Sequence, residues 1–324
     1  MKRRVLSVLL ALLMVLSLVP TIFAPQTAVA ESGPIDQAIV QGGAILHCFD
    51  WSFDEIREAL PDIKAAGYAA VQTSPVQPPK DYNASWNDTS GNWWKLYQPL
   101  DFCVVDENGS WLGSKADLTA LCRAAENKGI YVIVDVVANH TANITGGGYT
   151  VYGTYNVSPQ VAERLQDPDG SKNLYHTSED GTNDGSRYTM TQYHLSMPDL
   201  NTGNRVVQDM VLDFLKECVD CGVDGFRFDA AKHIELPGDS GCGSDFWPYV
   251  IGGIRDYAEN DLYIYGESLS GSGSDAWVNE FIEDGDYFTC FLVAKQRKFL
   301  TRCYRKVTVK YLCKEKVILV VISL

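Results

Sequence analysis

The sequence predicts an α/β fold built of βα units around a parallel sheet. Between residues 31 and 290, short β-rich runs alternate with longer runs whose apolar residues recur at helical spacing. The polar residues able to do chemistry cluster directly after the short runs, where the strand ends of a parallel sheet would gather them. In order, Ala44-Ile45-Leu46-His47-Cys48-Phe49 reads as the first strand. A helix follows from Phe53 to Ala66, with Ile56, Leu60 and Ile63 on one face and Gly67 as its stop. Ala69 to Thr73 is the second strand, closed by Ser74-Pro75. Lys115 to Lys128 is helical up to Gly129, and Ile130 to Val137 is a strongly β-branched strand. From Asn139 to Asn201 the alternation stops, in about sixty residues rich in Gly, Asn, Thr, Tyr and Ser. A structureless loop of that length does not suit a compact domain, so residues 139–201 read as a small domain inserted between a strand and its next helix. The pattern resumes with a helix from Arg205 to Cys221 and with strands at Val223–Phe228, Leu262–Tyr265 and Tyr287–Thr289.

The chain has 324 residues, 46% of them hydrophobic and 21% charged, so it can bury a core of one barrel-sized domain or two smaller ones. With 41 acidic against 27 basic side chains and a net charge of −14, it lacks the basic footprint of a nucleic-acid binder. A neutral ligand is compatible with that charge. Lys2, Arg3 and Arg4, the apolar run Val5–Val19 and the small residues Ala28-Val29-Ala30 form a secretory signal peptide, with cleavage after Ala30. The apolar run is short for a membrane span and Pro20 closes it, so the mature protein is expected to be extracellular and free of the membrane. Nine cysteines show no disulfide framework. Cys218 and Cys221 resemble a CxxC pair, but no second pair stands at zinc spacing, and buried or free thiols are expected.

Residues 291–324 differ abruptly from the rest. They hold nine Lys or Arg, one acid (Glu315), and no Gly, Pro, Asp or Trp, and they end in the β-prone run VILVVISL. Such a break is expected of a frameshifted or truncated reading frame; the alternative is a basic amphipathic tail.

Several strand ends carry polar side chains. Asp135 lies inside the third strand, with Asn139 and His140 after it. Arg227 lies inside the next, followed by Asp229, Lys232 and His233; Glu267 comes after Leu262–Tyr265, and Asp199 and Asn201 close the insert. Arg227 and Asp229 are two apart on a strand, so they face the same way, and the cation is expected to lower the carboxyl's pKa and keep a nucleophile ionised. Glu267, after a Tyr- and Ile-rich strand, is expected to be desolvated and held protonated as a general acid. Two carboxyls with separated pKa values are what glycoside hydrolysis requires.

The segments DVVANH (135–140), MPDLN (197–201), GFRFDAAKH (225–233) and YGES (265–268) resemble those of the α-amylase family of retaining glycoside hydrolases, glycoside hydrolase family 13. The similarity covers residues 44 to about 289, through ILHCFDWS, GYAAVQTSPVQPP and NWWKLYQPLDF, and is to the secreted bacterial amylases of the Bacillus subtilis type in particular. It implies a (β/α)8 TIM barrel with a small domain inserted after strand 3. It also implies an endo-acting enzyme on the α-1,4 bonds of starch and maltooligosaccharides, working as a monomer. Asp229 would be the nucleophile and Glu267 the general acid and then base. Arg227 and His140 would hold the sugar at the cleavage point, Tyr97 would stack under it beside Gln98, and Lys232 and His233 would line the leaving-group side. Asp135 would be a structural partner in the floor. A calcium ion between barrel and insert would take the Asn139 side chain, Asp199, and the main-chain carbonyls of His233 and Thr191, an oxygen set suited to a hard cation. For Asn139 and Asp199, ordinary turn chemistry is the competing reading.

The family's third carboxylate, an Asp after the seventh strand, has no counterpart in the sequence, and the C-terminal barrel strands are missing or replaced. An open barrel exposes edges, so the chain as written is expected to fold poorly and to have little activity. Two alternatives stand beside the amylase reading. One is a catalytically inactive glucan-binding fragment, with Tyr82, Trp86, Trp93, Trp94 and Tyr97 as stacking faces; the other is a transglycosylating relative such as a cyclodextrin glucanotransferase.

Overall fold

A computed structural model of the chain describes residues 43–80, 93–106, 110–144, 157–178, 180–268, 277, 280–281, 285–288, 290–293 and 319–322. Tyr82, Trp86 and the signal segment lie outside the described residues. Four βα units and a fifth strand begin the fold: β1 (Ala44–Cys48), α1 (Phe53–Ala65), β2 (Tyr68–Thr73), α2 (Lys115–Glu126), β3 (Tyr131–Val136), a short α3 (Arg187–Thr191) in the insert, α4 (Arg205–Asp220), β4 (Gly225–Phe228), α5 (Phe246–Tyr257) and β5 (Tyr263–Ser268). Two more strands come after them, β6 (Cys290–Val293) and β7 (Leu319–Ile322). The sheet order is β6-β5-β4-β3-β2-β1-β7, with β1 to β6 parallel throughout. This is a partial (β/α)8 barrel.

Local chemistry explains the helix limits. Ser52 and Glu55 form a reciprocal capping box at the start of α1, as Ser114 and Asp117 do for α2, so the first orphan N–H groups of each helix find acceptors. After α1 the chain turns at Gly67 with φ +88°, a left-handed conformation that favours glycine. Helix α5 interrupts its apolar face with Gly252-Gly253; a Cβ at Gly253 would come within 2.7 Å of Leu212 on α4, so the glycine allows close packing there.

The strands sort their side chains into two layers. Leu46, Val71, Val132, Val134, Val136, Phe226, Phe228 and Ile264 face the helices and join the larger core. Ile45, Ala70, Ile133, Tyr263 and Tyr265 form a separate inner core on the concave side. Gly225 leaves room for that inner core, because a Cβ there would meet the Tyr263 carbonyl oxygen at 2.2 Å.

The end of the chain departs from expectation twice. No strand forms over 287–288; instead Tyr287 and Phe288 donate backbone N–H bonds to the Phe281 carbonyl, and Phe288 stacks on Phe281 with ring centroids 5.1 Å apart. That fold-back fills the space beside Trp247, so the strand begins later, at Cys290, and β6 runs across the compositional break after residue 290. The edge of β1 is also not open. β7, from the β-prone terminal run, pairs with it antiparallel, Leu319 opposite His47 and Ile322 opposite Ala44. An exposed edge and a nearby β-former satisfy each other's backbone groups.

The insert leaves the sheet after β3 and returns at the isolated bridge His140–Asp199. Its described residues contain bridges, turns and α3 rather than a sheet. Cys48, Cys103, Cys122, Cys218, Cys221 and Cys242 are free thiols, as expected. Among the described residues no helix is long and apolar enough to cross a membrane.

Asp224, at the entry of β4, accepts the Val132 N–H at 2.7 Å, and burial pushes its pKa up to about 7. Because the folded pKa is raised, the folded state prefers the neutral acid, so stability is lost as pH rises from about 4 towards 7. Asp224→Asn keeps the acceptor and removes the charge. It is expected to be more stable than the wild type by about 1–3 kcal/mol at pH 8 and equal to it at pH 4. Urea unfolding at the two pH values tests this; an equal difference at both would refute it.

Candidate active site

The alternation that builds the inner core also builds the site. One step above Ile45, Ala70, Ile133, Gly225 and Tyr263 stand His47, Gln72, Asp135, Arg227 and Tyr265, all carrying polar atoms on the concave side. One step higher are Phe49, Asp229 and Glu267. These two levels, with residues from the loop after β2 and from the insert, enclose a cavity of about 790 Å³.

Arg227 is 6% exposed and holds three carboxyls. Its Nη1 donates to Asp135 at 2.6 and 2.7 Å and to Asp229 at 2.9 Å, and its Nη2 lies 2.7 Å from Glu267. One cation cannot neutralise three buried anions, and burial raises the pKa of all three acids. This corrects the expectation for Asp229: the Arg227 cation does pull its pKa down, but desolvation outweighs it and the net shift is upward. Glu267 and Asp229 are nevertheless distinguished, because the hydrogen bond between them lowers Asp229 and raises Glu267. That bond favours the proton on Glu267 over Asp229. Glu267 also accepts the Ala230 N–H at 3.3 Å, and Ala230 sits in the left-handed region at φ +49°, turning the chain sharply after Asp229.

Tyr97 donates to Asp135 at 2.9 Å, and its ring lies parallel to Phe49 with centroids 6.4 Å apart. His140 is buried; its Nε2 donates to the Tyr97 carbonyl at 2.9 Å, and burial lowers its pKa to about 4, so the ring is neutral. Trp93 and Trp94 are the exposed aromatic faces of the cavity mouth. Gln98 lines the same wall, its Oε1 accepting from Lys80 at 3.0 Å.

Residues 52–245, more than half of the chain, match the family model described as the α-amylase catalytic domain. The chain belongs to the α-amylase family. It is 42% identical over 231 residues to an α-amylase of Clostridium acetobutylicum, covering 70% of this chain and 28% of that protein. It is 35% identical over 262 residues to an α-amylase of Butyrivibrio fibrisolvens, covering 75% and 25%. The chain thus spans about a quarter of the length of these relatives. Among solved structures, α-amylase I of Eisenia fetida, in complex with maltohexaose, aligns with a TM-score of 0.56 at 23% identity, over 77% of this chain and 48% of that one. A cyclomaltodextrin glucanotransferase aligns with a TM-score of 0.57 at 22% identity, over 74% and 47%. At such identities the likeness is one of fold.

Within this family frame, Tyr97, Gln98, His140, Arg227, Asp229 and Glu267 come together at one cavity. Lys232 and His233 do not line it. Lys232 pairs with Asp184 of the insert at 3.0 Å, and His233 donates from Nδ1 to the Met190 carbonyl at 2.8 Å, so both tie the barrel to the insert. Asn139 and Asp199 meet, Nδ2 donating to Oδ1 at 2.9 Å, while His176 Nδ1 sits 2.8 Å from Asp199 Oδ2. Burial pushes Asp199 up to about 6 despite His176. A buried carboxylate and a buried side-chain amide are donor types that a hard cation takes. Sequence reading missed His47, Gln72 and Tyr265, and also Leu195 and Met197, which the insert adds to the cavity wall. The first three were detectable as residues two positions along a strand from an inner-core or cavity residue; Leu195 and Met197 carried no such signal.

Proposed function

We propose that this chain carries the catalytic centre of a secreted α-amylase that hydrolyses internal α-1,4-glucosidic bonds of starch and maltooligosaccharides with retention. The observation that carries the reading is one guanidinium, also bound to the buried Asp135, holding Asp229 and Glu267 together at one cavity. In the first step Asp229 attacks the anomeric carbon while Glu267 gives its proton to the glycosidic oxygen, so the leaving glucan departs as an alcohol. In the second, Glu267, now a carboxylate, takes a proton from water, and that water displaces Asp229. Arg227 keeps Asp229 oriented, and Tyr97 and Phe49 offer an apolar wall for the sugar ring. The maltohexaose in the Eisenia fetida complex supports a glucan ligand for this fold.

Among the described residues the cavity lining offers two carboxylates, Asp229 and Glu267, where the family's chemistry uses three, which favours a second reading: glucan binding without turnover. Reducing-end release from soluble starch by residues 31–324 with calcium, beside an Asp229→Asn control, separates them. Turnover that vanishes in the control supports hydrolysis. Maltooligosaccharide binding without turnover selects the second reading, and neither binding nor turnover defeats both.

In this reading residues 1–30 direct export, and calcium is held by Asn139, Asp199 and the carbonyls of Thr191 and His233. Bound there, the ion would cross-link the barrel to the insert. Chelation is expected to lower the melting temperature by several degrees, the equivalent of about 2–4 kcal/mol of ligand stabilisation, and Asp199→Asn to abolish that response. A wild-type melting temperature indifferent to chelator and to added calcium would count against the site.

A further inference from the structure

We propose that His47 is a sugar-positioning residue in the cavity floor, its Nε2 hydrogen-bonding a hydroxyl of the glucan unit held over Asp229 and Glu267, a role that rests on the glycosidase reading above. Strand β1 presents Ile45 to the inner core and His47 one step above it, opposite Gln72 of β2. His47 is 8% exposed and lines the cavity with Gln72, Arg227, Asp229 and Glu267.

The rest of this level is hydrogen-bonded within the protein. The Tyr265 hydroxyl donates to Gln72 Oε1, and Asp135 takes both Arg227 and Tyr97. His47 Nε2 is buried with no hydrogen-bond partner among the described residues. A buried ring nitrogen in that state is poised for a partner that arrives from the cavity, since no described residue of the surrounding floor supplies one. Phe49 meets the ring edge-on, with centroids 5.4 Å apart and planes at 86°, which fixes the imidazole plane before any ligand binds.

The partner's chemistry is set by the charges around the ring. Burial and the nearby Arg227 cation lower the His47 pKa to about 3, so it stays neutral. A neutral imidazole nitrogen can donate or accept according to tautomer, and a hydroxyl can do the complementary half. A sugar hydroxyl therefore satisfies Nε2 without adding charge beside Arg227, whereas a cationic ligand group would be repelled by that guanidinium.

The test uses the full chain labelled with 15N-histidine and maltotriose as the probe. His47→Phe keeps ring size and removes the nitrogen; its missing signal assigns His47 among the five histidines. Saturating maltotriose is expected to move the His47 Nε2 resonance. His47→Phe is expected to weaken maltotriose binding by about three- to tenfold, the worth of one hydrogen bond between neutral groups, and His47→Gln to recover most of it. The melting temperature of His47→Phe should not fall, because an unpartnered buried nitrogen has been removed. Unchanged affinity in His47→Phe, or a fallen melting temperature with an unmoved resonance in the wild type, assigns the ring to the fold and overturns the proposal. If the wild type binds no maltooligosaccharide at all, the glycosidase reading fails and takes this role with it; if it binds and His47→Phe binds equally, this role alone fails.

Discussion

Glu267→Gln is expected to abolish starch hydrolysis yet retain a first-turnover burst of fluoride from α-maltosyl fluoride, whereas Asp229→Asn is expected to lose both. The asymmetry comes from the protons. Burial and the bond to Asp229 raise the Glu267 pKa, which suits it to protonate the departing glycosidic oxygen. Fluoride leaves without a proton, so glutamine at 267 costs little in that first step, while on starch the loss is about 10²- to 10⁴-fold. Asp229 forms the bond to the sugar, and no leaving group replaces that attack; a loss of about 10⁴-fold or more is expected on either substrate. The pH profile carries the same assignment. Because the Glu267 pKa is raised, the acid form persists to higher pH, so the alkaline limb of kcat/KM should lie above the ordinary glutamate range and disappear in Glu267→Gln with the fluoride substrate. Equal losses in the two variants on both substrates would refute the division of roles.

The parts of this fold legible in sequence are those written in local periodicity and strand-end position. α1 and α2 are readable because an apolar face, a Ser cap and a glycine stop agree with one another. Asp135, Arg227, Asp229 and Glu267 are readable because a parallel sheet delivers its strand ends to one place. The illegible parts depend on contacts distant in sequence. α5 is hidden by Gly252-Gly253, which look like a break and are required by Leu212 on α4. The strand expected at 287–289 moves to Cys290 because Phe288 finds Phe281 and Trp247, a cluster invisible to a propensity count. The terminal run looks like an unguarded β segment, and it is one; only the sheet order shows that the edge it covers is β1. The direction of the Asp229 pKa shift escapes sequence for a related reason. Spacing reveals the one neighbouring cation, but not that Asp135 and Glu267 share it.

That sharing makes Arg227 the residue whose loss should cost most in stability. Arg227→Met is expected to destabilise the chain by about 3–5 kcal/mol, because it leaves Asp135, fully buried, together with Asp229 and Glu267 and no cation among them. The three acids then answer by binding protons. Their folded pKa values, already raised, should rise further, so the variant loses stability steeply as pH increases and recovers part of it in acid, where neutral carboxyls need no counter-ion. Arg227→Lys separates charge from shape. A lysine restores one positive charge but not the planar fork whose Nη1 serves Asp135 and Asp229 while Nη2 serves Glu267. It is expected to recover more than half of the lost stability in urea unfolding at neutral pH, and to leave activity as low as in the methionine variant, since Asp229 and Glu267 would no longer be oriented by one rigid group. Full activity in Arg227→Lys would mean that charge alone organises the carboxyls. Unaltered stability in Arg227→Met would mean that Asp135 and its neighbours are already neutral when Arg227 is present, and the ionised Asp229 on which the nucleophilic step depends would have to be abandoned.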